Sequence, residues 1–273
     1  MTDRPLGPRP YRRSDFGRAA SRVLYVQSLF TAERQQGPGF AFALVPFARR
    51  LFTSAEDRGR MLRRHLGFFG THPLLAGYVL GIVARLEERR AHGEAIAEER
   101  IEQVKRAVAS PLAALGDPLF WVTLRPLAGL VGIFGLLFIP MAEGEGPDLR
   151  VLICPLLALL TYNAVALPHR FVGVARGYAA ADEPGRLLRS LHLAEWKLVL
   201  ERASAFAFGG LVMLTLAALK PSVAGGTAYA ATVFAPLGVS ALLAVLVLER
   251  RPGRGVEIAL LAVALALMLP VRG

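Results

Sequence analysis

Six side chains stand inside apolar runs or at proline breaks, where hydrogen-bonding groups are few: Thr71, His72, Glu87, Asp117, Trp121 and Asn163. A hydroxyl, an imidazole, carboxylates and an amide in an otherwise apolar cavity fix the orientation of a polar ligand, and an indole face offers it a platform. These six are the candidate substrate-binding residues. Most also have a plain structural reading. Asp117, just before Pro118, suits a helix N-cap. Trp121 suits an interfacial anchor, Asn163 can bond a neighbouring helix, and Glu87 can pair with Arg90 on its own helix. His72 stands at a helix break rather than on a packed face, which favours the ligand reading. His65, His92, His169 and His192 sit among charged or polar residues and read as surface groups. No histidine has the setting of a phosphoryl acceptor, and no Walker-type loop, metal-ligand spacing or nucleophile triad is present. The chain reads as a binding component with no catalytic residue, no metal site and no cofactor.

Two proline-punctuated knots must position these groups. One is Phe68-Phe69-Gly70-Thr71-His72-Pro73, and the other runs from Ser110-Pro111 to Gly116-Asp117-Pro118. Each reads as a helix broken by a small or polar residue plus proline and restarted at once, because proline needs no N–H at the first helical position. Asp117 and His72 would then stand in cap geometry. Helix-end backbone groups in apolar surroundings cost several kcal/mol each if unsatisfied. The two knots are therefore expected to lie together around one wet cavity.

Hydrophobic residues make up 54% of the 273, charged residues only 19%, and the mean hydropathy is +0.44. An ordinary soluble domain carries about a quarter charged residues. The composition points to an all-α, polytopic membrane protein in contact with a lipid bilayer. The net charge of +11 comes from basic residues that flank apolar runs, with no stripe interleaved with aromatics. That pattern argues against nucleic acid and fits a positive bias on one side of a membrane. Cys154 is the single cysteine, so there is no disulfide framework or thiolate metal site. The Arg- and Pro-rich N-terminus lacks the early apolar core of a signal peptide.

Residues 1 to about 18 read as a loosely ordered cytoplasmic leader. Helical spacing follows over Ala19–Gln35 and Phe40–Phe52, both shorter than the ~20 residues a bilayer requires. They suit amphipathic helices at the interface or packed on the membrane body. Ser54-Ala55-Glu56-Asp57 resembles a capping box that starts a basic helix. Leu74–Arg85 is apolar for about a dozen residues, the length of a re-entrant segment rather than a span. Its Gly77 and Gly81 allow a neighbouring helix to approach. Ala95–Val108 reads as a charged amphipathic helix. Later apolar blocks at roughly 118–140, 150–168, 203–219 and 228–248, with a shorter one at 256–271, read as about five spans. Arg125, inside the first, should face protein, water or a carboxylate. Acidic Ala142–Leu149 alternates with the basic stretches 169–202 and 249–257, which places the N-terminus in the cytoplasm.

The order FFGTHPLLAGYVLGIVARLEE, VKRAVASPLAALGDPLFWVTLRP, LLTYNAVALPHRFVGVARGY closely resembles the IID membrane subunit of the mannose/fructose/sorbose-type sugar phosphotransferase system. The likeness extends upstream through GFAFALVPFARRLF and RRHLGFF and covers roughly residues 20 to 215. Its most specific piece is GDP-hydrophobic-FW-x-T-x-RP. The resemblance implies a multi-pass subunit of a bacterial inner (plasma) membrane. Such a subunit would pair with a IIC subunit to form the translocation unit for a hexose, typically as a trimer of IIC–IID pairs. Soluble IIA and IIB carriers would hold phosphate on histidines and phosphorylate the arriving sugar. It divides the chain into interfacial helices (1–66), a IID core with re-entrant helices and first spans (67–202), and C-terminal transmembrane helices (203–273). Two departures stand out. Gly70 replaces the family's usual asparagine, and Ala109-Ser110-Pro111-Leu112-Ala113-Ala114 replaces a run richer in glycine. These departures support an alternative, a non-transporting scaffold or sensor that recruits phosphotransferase components.

Overall fold

A buried α-helix, α4 (Ala76–Ala91), organises the fold, with every residue from Ala76 to Ala84 buried. The computed structural model describes residues 9–138 and 149–218. Before α4 come α1 (Arg13–Val23), α2 (Gly37–Leu51) and α3 (Ala55–Arg64). After it come α5 (Glu98–Asp117), a π-helical segment (Pro118–Leu124), α6 (Arg125–Phe138), α7 (Ile153–Ala179), α8 (Pro184–Ser190) and α9 (Leu193–Ala218). No strand occurs among the described residues, only two isolated bridges. The chain divides into two compact units at Glu201 and Arg202, and the packing described here belongs to the first.

Glycine decides the tightest contact. A β-carbon on Gly81 of α4 would lie 2.1 Å from the Val174 carbonyl oxygen of α7, and one on Gly177 would lie 2.0 Å from that of Tyr78. Bare backbone on both helices therefore lets α4 and α7 meet at the distance small residues permit. The Gly77/Gly81 pair is legible in the sequence; its complement, Gly173 and Gly177 at the same spacing, was there to be read as well.

Several expectations change. The first helix begins at Arg13 and ends at Val23, and Leu24 to Gln35 runs through turns rather than continuing it. Gln35 there takes a positive φ of 47°, which no helix accommodates. α2 packs on the body of the fold, the second of the two expected placements: Phe40, Leu44, Phe47, Ala48 and Leu51 share one face and are all buried. The second knot does not break its helix. Backbone helix runs from Glu98 to Gly135 without interruption, and this is the one described helix long and apolar enough to cross a membrane. The chain widens into a π segment instead, where the Arg125 N–H bonds the Phe120 carbonyl and the Thr123 hydroxyl donates to the Pro118 carbonyl (3.0 Å). A wider turn is how a helix absorbs a proline that lacks its N–H and crowds the preceding turn. Asp117 accordingly has helical φ and ψ and caps nothing. The first knot is a real break, but Leu75, not His72, precedes the helix; His72 closes the turn before it, its carbonyl accepting from the Leu75 N–H at 2.9 Å. Of the expected spans, 228–248 and 256–271 lie outside the described residues.

Candidate functional site

The chain from Phe69 to His72 is fastened on two sides. The Gln36 carboxamide grips Thr71 at both backbone groups: its nitrogen donates to the Thr71 carbonyl (2.8 Å) and its oxygen accepts from the Thr71 N–H (3.3 Å). On the other side the Thr71 hydroxyl donates to the Ala109 carbonyl of α5 (3.0 Å). Gln36 is buried, so this clamp works in a low-dielectric setting where a lost partner would be costly. Thr71 thus positions the loop.

His72 is the unsatisfied member. Its Nδ1 accepts from the Leu74 N–H at 3.4 Å, which places the ring proton on Nε2. Nε2 is buried and has no hydrogen-bond partner among the described residues, and the residue is only 1% exposed. The imidazole stacks on Phe120 (centroids 4.7 Å apart, planes 19° apart) and meets the edge of Trp121 at 5.6 Å. Gly116 packs on its stem; a β-carbon there would lie 2.5 Å from His72 Cβ. Phe120 in turn meets the edge of His169 at 5.7 Å, and His169 Nδ1 is 2.9 Å from the Tyr78 hydroxyl. The two knots therefore pack directly on each other, through His72 against Gly116 and Phe120.

Of the six candidates, the structure brings Thr71, His72 and Trp121 together and sets Asp117 beside them in sequence. Trp121 is 41% exposed and lies under the Arg125 guanidinium, 5.7 Å from the ring centre. Arg125 is itself exposed and meets this aromatic face one turn away, where a carboxylate was one of the expected partners. Asp117 points to an exposed surface. Asn163 donates to the Leu159 carbonyl of its own helix (2.8 Å), rather than to a neighbour. Glu87 lies about 18 Å along α4 from Leu75, at the 1.5 Å rise of a helix, and belongs to a different cluster.

That second cluster is ionic. Glu87 is 1% exposed and takes a two-pronged contact from Arg64 of α3 (2.9 and 2.7 Å) plus one from His65 Nε2 (2.9 Å). Its partner is Arg64, not the expected Arg90, which pairs with Glu98 instead. Burial works against ionising Glu87, but the hydrogen bonds from Arg64 and His65 outweigh it and hold the carboxyl at about 2. Burial, with the Lys105 and Arg64 charges, pushes the His65 imidazole below its usual value despite the carboxylate beside it. At neutral pH a neutral imidazole therefore donates to a carboxylate whose charge Arg64 balances. The cluster borders a cleft of about 410 Å³ with Asp57, Arg60, Arg90 and Glu98 on its walls.

Two histidines depart from a surface reading, and a lysine on α5 is buried as well. His65 is buried, because it follows buried Met61 by four positions on the inner face of α3. His169 is half-buried against Tyr78 and Phe120. Lys105 is 1% exposed, its ammonium 3.2 Å from Glu102 and over the rings of Phe40 and Phe69 at 5.0 and 5.5 Å. Its spacing with Ile101 and Val108 on one helical face was the available signal. Among the described residues no group of three or more acidic, histidine or cysteine side chains could hold a metal.

The family model for the IID component of the mannose/fructose/sorbose phosphotransferase system matches residues 11–224. The chain belongs to that family. It is similar to the mannose-specific EIID component of Escherichia coli (strain K12), 38% identical over 168 residues that make up 61% of this chain and 56% of that one. It is also similar to the sorbose-specific EIID component of Klebsiella pneumoniae, 35% identical over 60% of this chain and 58% of that one. To the fructose permease IID component of Bacillus subtilis (strain 168) it is 31% identical, over 59% of this chain and 55% of that one. The chain thus spans little more than half the length of the curated relatives it matches. Among solved structures, a chain of the mannose transporter ManYZ bound to microcin E492 matches with a TM-score of 0.56 at 33% identity, covering 75% of this chain and 71% of that one. A second, described as a membrane protein, matches with a TM-score of 0.62 at 34% identity over 74% and 70%. As a IID-family member the chain is a membrane protein, and the paired glycines of α4 and α7 are backbone contacts of a membrane fold.

Proposed function

We propose that the chain is the IID subunit of a mannose-type phosphotransferase permease. It pairs with a IIC subunit, in a trimer of such pairs, and lines a hexose path. Soluble IIA and IIB carriers supply the phosphoryl group, and this chain performs no chemistry itself. The observation that carries the reading is the family match over residues 11–224. The site reading rests on the buried, unpartnered Nε2–H of His72 beside the half-exposed indole of Trp121. A sugar ring against Trp121 would meet that donor, with Thr71 and Gln36 holding the loop in place. Asp117 is exposed, Glu87 serves the ionic cluster, and Asn163 bonds its own helix. Gly70 is a second point of adjustment, because a side chain there would displace the Gln35 carboxamide, whose oxygen lies 2.2 Å from the β-carbon position.

The test is reconstitution of the chain with a IIC subunit in proteoliposomes, with IIA, IIB and a phosphoryl donor outside. Accumulation of phosphorylated hexose above liposomes holding IIC alone is the expected result. A stable complex that recruits IIA and IIB yet moves no sugar would overturn the transporter reading in favour of a scaffold.

A further inference from the structure

A strong charge imbalance lies between α1 and α2. Arg12, Arg18, Arg22, Arg49 and Arg50, with Ser14, line a cleft of about 540 Å³ whose one acidic group is Asp15. Asp15 is buried and caps its own helix, accepting from the Arg12 N–H at 2.9 Å, with Arg18 and Arg50 each 3.9 Å from its carboxylate. Two arginines are fixed by the backbone. Pro46 inside α2 has no N–H for the Phe42 carbonyl four residues back, and the Arg22 guanidinium donates to that carbonyl at 3.2 Å while lying 4.6 Å over the Phe42 ring. Arg50 donates through Nε to the Pro10 carbonyl at 3.0 Å. Arg12, Arg18 and Arg49 remain exposed around them. Five guanidinium groups against one carboxylate repel one another, and burial together with the charges of Arg49 and Arg18 lowers the Arg22 pKa. An anion would relieve that repulsion, and guanidinium forks match a phosphate diester.

The surroundings say where the phosphate comes from. The chain leaving Arg22 exposes Leu24, Tyr25, Leu29 and Phe30, and Phe42 beneath Arg22 is exposed as well. A basic cleft with an exposed ring beneath Arg22 and exposed apolar side chains on the chain that follows it matches the headgroup and upper acyl region of a bilayer. We propose that the α1–α2 cleft binds the phosphate headgroup of an anionic membrane lipid. Arg18 and Arg49 supply the adjustable charge, and Arg22 and Arg50 the fixed part of the cradle.

The test uses the full chain purified in detergent, delipidated, and titrated with phosphatidylglycerol or phosphatidylcholine under native mass spectrometry. Phosphatidylglycerol should bind preferentially. The Arg18→Gln/Arg49→Gln double variant should weaken it about thirtyfold, from roughly 1 kcal/mol per basic residue near an anionic surface. Arg60→Gln/Arg63→Gln, which removes the same charge from α3, should change it little. An unfolding temperature matching the parent's establishes that the double variant is folded; otherwise Arg18→Gln, whose side chain is 72% exposed, is used and should give about fivefold. Equal binding of both lipids, or equal losses in both double variants, would overturn the proposal. So would displacement of the lipid by millimolar inorganic phosphate, which would mark a soluble-phosphate site. Capture of phosphorylated IIB by the parent but not by Arg18→Gln/Arg49→Gln, with no lipid bound, would overturn it in favour of a protein ligand.

Discussion

At the scale of single residues, buried polar groups carry most of what can be tested. Glu87 has a folded pKa of about 2, below the usual carboxylate value. Its contribution to stability is therefore present above about pH 4.3 and is lost as pH falls toward 2. His65 is depressed in the fold, so the unfolded chain takes up a proton first, and its contribution fades as pH drops below about 6.5. Both act in the same direction. The unfolding temperature of the purified chain should fall between pH 7.5 and 5, and His65→Gln, which keeps an N–H for Glu87, should flatten that dependence. Glu87→Gln should cost about 1–3 kcal/mol, the usual penalty for losing charge-assisted hydrogen bonds in a buried site, because Arg64 keeps its second contact, to Glu98 at 3.1 Å; denaturant unfolding measures it. The sequence marked His72 and Thr71 through a helix break. It hid His65, because a charged neighbourhood along the chain says nothing of which helical face turns inward; Lys105 is legible only through its spacing with Ile101 and Val108. Glu87's partner was hidden for a related reason: Arg90 is near in sequence, whereas Arg64 arrives from another helix.

At the scale of elements, glycine placement and proline tolerance set the architecture. Gly81→Ala would press a β-carbon onto the Val174 carbonyl and should destabilise the chain by about 1–3 kcal/mol, read from the denaturant midpoint. Gly129→Ala, which meets nothing within 4 Å on α6, should be neutral or stabilising by up to about 1 kcal/mol. Equal effects from the two would contradict the close α4–α7 contact. The helical periods of α2, α4 and α5 were readable in the sequence because each carries a long apolar stripe. The Asp117-Pro118 break was misread for a definite reason. Proline rules describe the ideal α turn, and the segment from Pro118 to Leu124 escapes them by widening, with Thr123 bonding the Pro118 carbonyl. The end of α1 was misread because the apolar spacing of Leu24, Leu29 and Phe30 continues past Val23 while the backbone turns, leaving those side chains exposed.

At the scale of the molecule, composition already indicated a helical membrane chain, and the family match carries it to the IID component of the mannose/fructose/sorbose systems. Topology is the part that loop charge alone addresses. A cysteine introduced at position 144 should react with an impermeant maleimide in intact cells, and one at position 185 only after permeabilisation; the reverse pattern would invert the proposed orientation. The central claim is that His72, where the two knots meet, borders the sugar path. The measurement that tests it most directly is initial uptake of a radiolabelled hexose by the IIC–IID complex carrying His72→Ala, with co-purification of IIC as the check on assembly. Uptake reduced tenfold or more with assembly intact is the expected result. Uptake at the parent rate would contradict the account.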